Sequence, residues 1–253
     1  MAPPSLTFDV QDLDTPIALR RPGWDPFAAW LDSFLAGQTG DAQHNLVTGC
    51  AVTPPAGELA EIFADGFGFL PGELAGALLE AAGLPDGLAG LGAVYPLVSG
   101  GRAEEVHRLI ASLTAVLDMA PTGELSAETN AEIQRARDDI AALQSETVPR
   151  ELIDAAKKRT RRPFFALTVA GWWACKAPGT SEASAYEDAI TAAVQGRGSR
   201  AAALRTLTLS CVLSPDPEVA KAQIEETPAI PYLLARALRG AAGEGTAVAR
   251  ASS

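Results

Sequence analysis

The apolar stretch at residues 163–175 limits the fold more than any other segment of the chain. It carries Phe164, Phe165, Trp172 and Trp173, contains no charged residue, and directly follows a basic run at 157–162. A membrane-spanning helix needs about 20 apolar residues, so this stretch is too short to cross a bilayer. Wound as a helix, it is apolar on nearly every side, which is typical of a helix at the centre of a core. We therefore predict a central buried helix at 163–177.

Caps, prolines and apolar periodicity predict helices through most of the remaining chain. In 25–37, Asp25 can cap, Pro26 suits the first helical position, and the apolar residues form one stripe. Ser126 is predicted to begin another helix. Further helices are expected at 102–120, 149–162, 182–195, 199–213 and 217–226, with a last one from Pro231 to near Gly240. The predicted fold class is all-α, an irregular multi-helix bundle or a stack of helical hairpins.

The two ends of the chain are not predicted to be helical. Leu6, Phe8 and Val10 alternate with polar residues, which predicts a short strand or extended arm within 1–24. Residues 241–253 have little to bury, so a disordered tail is expected. Between them we predict an acidic helical half at 25–100 and a larger half at 101–240, either as two domains or as one. Two similar GELA segments, at 57 and 72, are interpreted as unrelated short helices.

Charge is distributed unevenly along the chain. The formal net charge is −11, and residues 1–100 hold twelve acidic residues against only Arg20 and Arg21, a net −10. So acidic a chain disfavours general binding to nucleic acid or anionic membrane, because phosphate contacts need Lys and Arg.

The basic residues that remain form two candidate binding regions. The first is Lys157, Lys158, Arg159, Arg161 and Arg162, at the end of a predicted helix where cations interact favourably with the helix dipole. It is expected to meet the acidic half of this chain or of another copy, with a nucleic acid or phosphate ligand as the alternative. The second region is Arg197 and Arg200 around Ser199, where a helix N-terminus could hold phosphate. An ordinary helix exit and N-cap explains the same residues, and we prefer that interpretation.

No constellation of ionisable residues predicts a catalytic or metal site. His44 and His107 are the only histidines, each with a carboxylate three residues earlier, and neither is predicted to face the core. Cys50, Cys175 and Cys211 are widely spaced, which favours free thiols in a reducing compartment. The N-terminus has no basic region followed by an apolar run, so no secretory signal is expected. We predict a cytoplasmic protein with no catalytic residue, metal or cofactor.

These features favour a non-enzymatic protein that acts through protein–protein contacts, as an adaptor, assembly or regulatory subunit. Its expected partner is another protein or another copy of itself, and no membrane span is predicted. The rival hypothesis is an enzyme or ligand-binding protein with a pocket among apolar helices. One closed pocket of roughly several hundred Å³ with convergent polar groups would favour the rival. A flat apolar patch with no pocket would favour the adaptor.

Overall fold

A computed structural model describes residues 5–10, 13, 15–65, 67–118 and 126–242. The helices in this part of the chain are α1 (Trp24–Leu35), α2 (Thr39–Gly49), α3 (Ala56–Ala64), α4 (Leu70–Ala81), α5 (Gly100–Asp118), α6 (Ala127–Ser145), α7 (Arg150–Arg159), α8 (Thr180–Val194), α9 (Arg200–Cys211), α10 (Pro217–Glu226) and α11 (Ile230–Ala241). The strands are β1 (Ser5–Phe8), β2 (Ile17–Arg20), β3 (Ala51–Thr53), β4 (Val98–Ser99), β5 (Pro163–Thr168), β6 (Gly171–Lys176) and β7 (Val212–Ser214). They form two antiparallel sheets, ordered β1-β2-β3 and β4-β5-β6-β7. The protein is therefore mixed α/β, and the predicted all-α class is wrong.

The largest difference from the predicted fold lies in the apolar stretch that follows the basic run. Residues 163–177 do not form a central helix, because they fold into the hairpin of β5 and β6. Thr168 pairs with Gly171 across a two-residue turn, and Gly171 has φ +105°. That backbone conformation is accessible to glycine at little cost, so the turn forms at Gly171.

The hairpin lacks the alternation of a half-buried strand because both of its faces are covered. Phe165 and Ala174 pack in a small cluster with residues of α5 and α7, while Ala166 and Trp173 face the main core on the opposite side. A strand buried on both faces reads as a continuous apolar run, which periodicity cannot separate from a buried helix.

Local signals identified the helices and the first strand well. The Ser126 side chain accepts a hydrogen bond from the Thr129 amide at 3.1 Å and caps α6, as predicted. Helix α10 spans 217–226, and β1 lies within the predicted extended arm. In the described part of the chain, no helix combines the length and hydrophobicity needed to cross a membrane. The disordered tail was predicted at 241–253, and all but its first two residues lie outside the described part of the chain.

The chain contains the same topological unit twice. Each copy is a β-hairpin, two helices, a third strand that returns to the hairpin, and two more helices. The first unit runs from β1 to α4 and the second from β5 to α11. Residues 82–162, which include β4, α5, α6 and α7, lie between them in sequence.

Strand register shows that the sheets of the two units correspond residue by residue. In both, the third strand pairs with the hairpin through a one-residue irregularity at the same place. The matching pairs are Ala18–Thr53 with Ala174–Ser214, and Leu19–Ala51 with Cys175–Val212. Buried positions also correspond, with Leu59 and Phe63 of α3 matching Ala220 and Ile224 of α10. The units therefore share one backbone plan although their surfaces differ.

The two units and the segment between them share one main hydrophobic core. Helix α1 of the first unit packs on α9 of the second. The glycine-rich segment at 83–101 packs between α4 and α11, where the Tyr232 hydroxyl donates to the Leu91 carbonyl at 2.8 Å.

Candidate functional site

Helices α5 and α6 form a helical hairpin with an exposed apolar face. Leu109, Leu113 and Val116 are 58%, 41% and 62% exposed, and their spacing of four and three residues places them on one side of α5. We call these three residues the outer stripe. On α6 no side chain with a defined exposure is buried, and Leu143 is 50% exposed. Large apolar side chains that cluster on a surface are typical of a protein-binding site.

The sequence indicated part of this surface. The apolar residues of α5 recur at helical spacing on one side, and those of α6 form a narrow seam of the kind that meets a partner helix. In the structure Ile110 is buried, whereas the outer stripe faces solvent. The seam residues Ile133, Ala136 and Ile140 are half-buried, in the helix that packs on α5. Which apolar residues of α5 are buried and which are exposed depends on how the helix packs, and the apolar periodicity of one helix does not show this.

The basic segment at 157–162 contacts the second half of the chain. Lys157 forms an ion pair with Glu104 of α5, and that hydrogen bond lowers the pKa of the Glu104 carboxyl. Arg159 donates a hydrogen bond to the Leu213 carbonyl. Lys158, Arg161 and Arg162 are exposed. The described contacts of this segment are therefore with α5 and β7, and not with the acidic residues of 1–100.

The arginines around Ser199 are held by the chain itself. The Ser199 hydroxyl accepts a hydrogen bond from the Ala202 amide at 2.9 Å, which makes Ser199 the N-cap of α9. Arg200 donates to the Leu35 carbonyl at the end of α1, and Arg197 to the Gln195 side chain. The Asp32 carboxylate accepts from the Ala201 amide at 2.9 Å, so the N-terminus of α9 already holds an anionic group of this chain.

The histidines make structural contacts rather than a shared site. His107 was expected to be solvated, but it is half-buried and its Nε2 donates to the Val148 carbonyl at 2.7 Å. The His44 ring packs edge-on to Phe63, with centroids 5.6 Å apart. Over the described ranges, no three His, Cys, Asp or Glu side chains come together in a group suited to a metal ion.

All three cysteines are free and buried. Burial raises the pKa of Cys50 to about 11, and it also raises the pKa of Cys175 and Cys211. A thiol that stays protonated at neutral pH is a poor nucleophile and a poor metal ligand.

Open grooves lie between helices in the described part of the chain. The groove between α8 and α9 has a volume of about 580 Å³, and its lining combines alanines with polar side chains that include Glu182, Tyr186, Arg197 and Thr206. A second, of about 680 Å³, lies between α8 and α11, and a third, of about 690 Å³, between α2, α3 and α4.

Comparison of the chain with protein families, curated proteins and solved structures gives no significant match.

Proposed function

We propose that the chain is a non-enzymatic interaction protein, an adaptor, assembly or regulatory subunit, and that the α5–α6 hairpin is a contact surface for its partner. The outer stripe of Leu109, Leu113 and Val116 is the observation that carries this proposal. Exposing three large apolar side chains on one helix face is unfavourable in water, and covering them with a partner removes that cost. The partner is another protein or another copy of this chain.

The ionisable groups of the described residues add support. The buried thiols have raised pKa values, Glu104 is paired with Lys157, and His107 is bonded to a backbone carbonyl. General acid–base or nucleophilic catalysis needs such groups free and close to one another. The three buried free thiols also fit a cytoplasmic location, where the compartment keeps cysteines reduced.

A small-ligand function is the second candidate. It would use the groove between α8 and α9, whose volume lies in the range of small-molecule pockets. The groove combines apolar side chains with polar ones, among them Arg197 and Ser181. We place this candidate second because the groove is open and because three of its polar side chains already have partners within the chain: Glu182 pairs with Lys176, Arg197 donates to Gln195, and Ser199 caps α9.

The interaction proposal predicts that the outer stripe can be replaced without unfolding the protein. Leu109→Ser, Leu113→Ser and Val116→Ser, combined, should weaken partner binding or self-association by about tenfold or more, because apolar anchors at an interface dominate affinity. The measurement is affinity capture from the native host together with sedimentation of the purified chain. The triple variant should keep the wild-type far-UV circular dichroism.

A matched control replaces apolar residues that are equally exposed elsewhere. Val194 on α8 and Val219 on α10 are 64% and 49% exposed, and Val194→Ser with Val219→Ser should leave binding unchanged. If the triple variant keeps every partner and the oligomeric state of the wild type, the hairpin is not the contact surface.

A further inference from the structure

Helix α1 fills a groove on the second unit, and its contacts there are specific. The Arg205 guanidinium of α9 lies over the Trp24 ring at 4.8 Å, and Arg205 also pairs with Glu225 of α10 at 2.8 Å. At the other end of α1, Asp32 accepts from the Ala201 amide. The face of α9 and α10 is thus a binding surface for a helix, with an aromatic anchor at one end and polar contacts at both.

The first unit has the same face, but no helix of the described chain fills it. The junctions at Cys50 and Cys211 align α2 with α9, so that Gly40 corresponds to Ala201 and His44 to Arg205. Ala201 is buried at 0% exposure beneath α1, whereas Gly40 is exposed. Glu73 of α4, which lines the same region of the first unit, is likewise exposed.

A groove remains where the helix is missing. It has a volume of about 690 Å³, and we call it the open groove. Its lining includes Gly40, Asp41, His44, Phe63, Phe69 and Glu73. Phe69 is 95% exposed at its edge. An aromatic ring so fully in water at the edge of a groove is available for a partner's apolar side chains to pack against.

The acidic charge of the open groove favours a basic partner. Its acidic side chains are Asp41 and Glu73, the part of its lining described here contains no lysine or arginine, and it belongs to the half of the chain that carries −10. Opposite charge at the edge of an interface favours association and excludes like-charged partners. We infer that the open groove binds an amphipathic helix of another protein, with an apolar and aromatic ridge bordered by lysine or arginine.

The chain's own counterpart of α1 does not fit this description. Helix α8 occupies the place of α1 in the second unit, and both begin directly after a glycine, so Thr180 corresponds to Trp24. Helix α8 carries no basic residue, and its Glu182 is already paired with Lys176. Its exposed Glu187 and Asp188 would be repelled by Asp41 and Glu73. A polar outer face of this kind stops head-to-tail stacking of identical units.

The test uses two synthetic helical peptides that differ only in charge. One is an amphipathic peptide of leucine, tryptophan and lysine, and in the other every lysine is glutamate; both are fluorescein-labelled and titrated with the full chain. We expect the lysine peptide to bind at least about tenfold more tightly than the glutamate peptide. Phe69→Ser should weaken the lysine peptide by about tenfold or more, because it removes the aromatic anchor.

Charge reversal separates the groove from the overall charge of the chain. Asp41→Lys with Glu73→Lys should make the chain prefer the glutamate peptide. The matched control, Glu187→Lys with Asp188→Lys on the exposed side of α8, changes the net charge equally and should alter affinity by less than about threefold at physiological salt. The proposal is overturned if Phe69→Ser binds like the wild type, if the α8 control acts like the groove variant, or if neither peptide binds. Outer-stripe variants should bind the lysine peptide normally, which keeps this site distinct from the hairpin.

Discussion

Replacing Trp173 with alanine should lower the free energy of unfolding by about 3–5 kcal/mol. The side chain is fully buried at 0% exposure on the face of β6 that meets the main core. The substitution removes its transfer free energy from water and leaves a cavity that the surrounding residues fill only in part. Since total stability is about 5–15 kcal/mol for most domains, this is a large fraction of it. Urea denaturation followed by circular dichroism measures the change.

The neighbouring Trp172 is the control for this prediction. It points to the opposite face of the sheet and is only half-buried, so Trp172→Ala should cost less than about 2 kcal/mol. A central helix at 163–177 would place the two rings differently and would not predict this order. Equal losses for the two variants would contradict the hairpin described here.

Trp30→Ala should cost a similar amount, about 3–5 kcal/mol. Trp30 is 1% exposed on α1, stacked with Phe34 at 5.5 Å and packed against Phe27 at 5.4 Å between ring centroids. Because α1 packs against both α2 and α9, this loss should weaken both units at once. A single unfolding transition, shifted to lower urea with an unchanged slope, is the expected result.

Phe69→Ala provides the comparison for the Trp30 variant. Phe69 is an aromatic residue of the first unit that lies almost wholly in solvent, so its loss should change stability by less than about 0.5 kcal/mol. If Trp30→Ala were as mild as Phe69→Ala, α1 would not be the packed helix that joins the units.

Much of the helical structure was predictable because its signals are local. Ser126, Pro217 and the apolar stripe of α1 act over one or two turns, and each predicted helix boundary near them lies close to the observed one. The hairpin of β5 and β6 was not predictable in this way. Its residues are apolar on both faces because α5 and α7 cover one side and the core the other, and that arrangement is tertiary.

The repeat is visible in the sequence at one pair of segments. The segments at 70–83 and 230–243 share proline, leucine, alanine and glycine at the same positions, whereas the two GELA segments lie within one unit. Identical residues in the two segments are Pro71 and Pro231, Leu74 and Leu234, Ala75 and Ala235, Ala77 and Ala237, Leu78 and Leu238, Ala81 and Ala241, Ala82 and Ala242, Gly83 and Gly243. The relation between the two units is hard to see in the sequence because residues 82–162 lie between them.

The candidate sites depended still more on tertiary contacts. Arg200 and Arg205 belong to one helix with few distinguishing neighbours in sequence, yet both are fixed by α1 from the other unit. At Ser199 the sequence left phosphate binding as an alternative, because it does not show that the Asp32 carboxylate reaches the same helix end. Conversely, the exposure of Phe69 follows from the absence, among described residues, of a helix over the first unit.

The central structural claim is that equivalent helix faces are covered in the second unit and open in the first. Amide hydrogen exchange resolved by residue tests it most directly, through Ala201 and its counterpart Gly40. After correction for intrinsic rates, Ala201 should exchange at least about tenfold more slowly than Gly40, and Asp32→Ala should remove much of that protection. Equal protection of the two amides in the wild-type chain would contradict the account, because it would mean that both faces are covered or that α1 does not pack on α9.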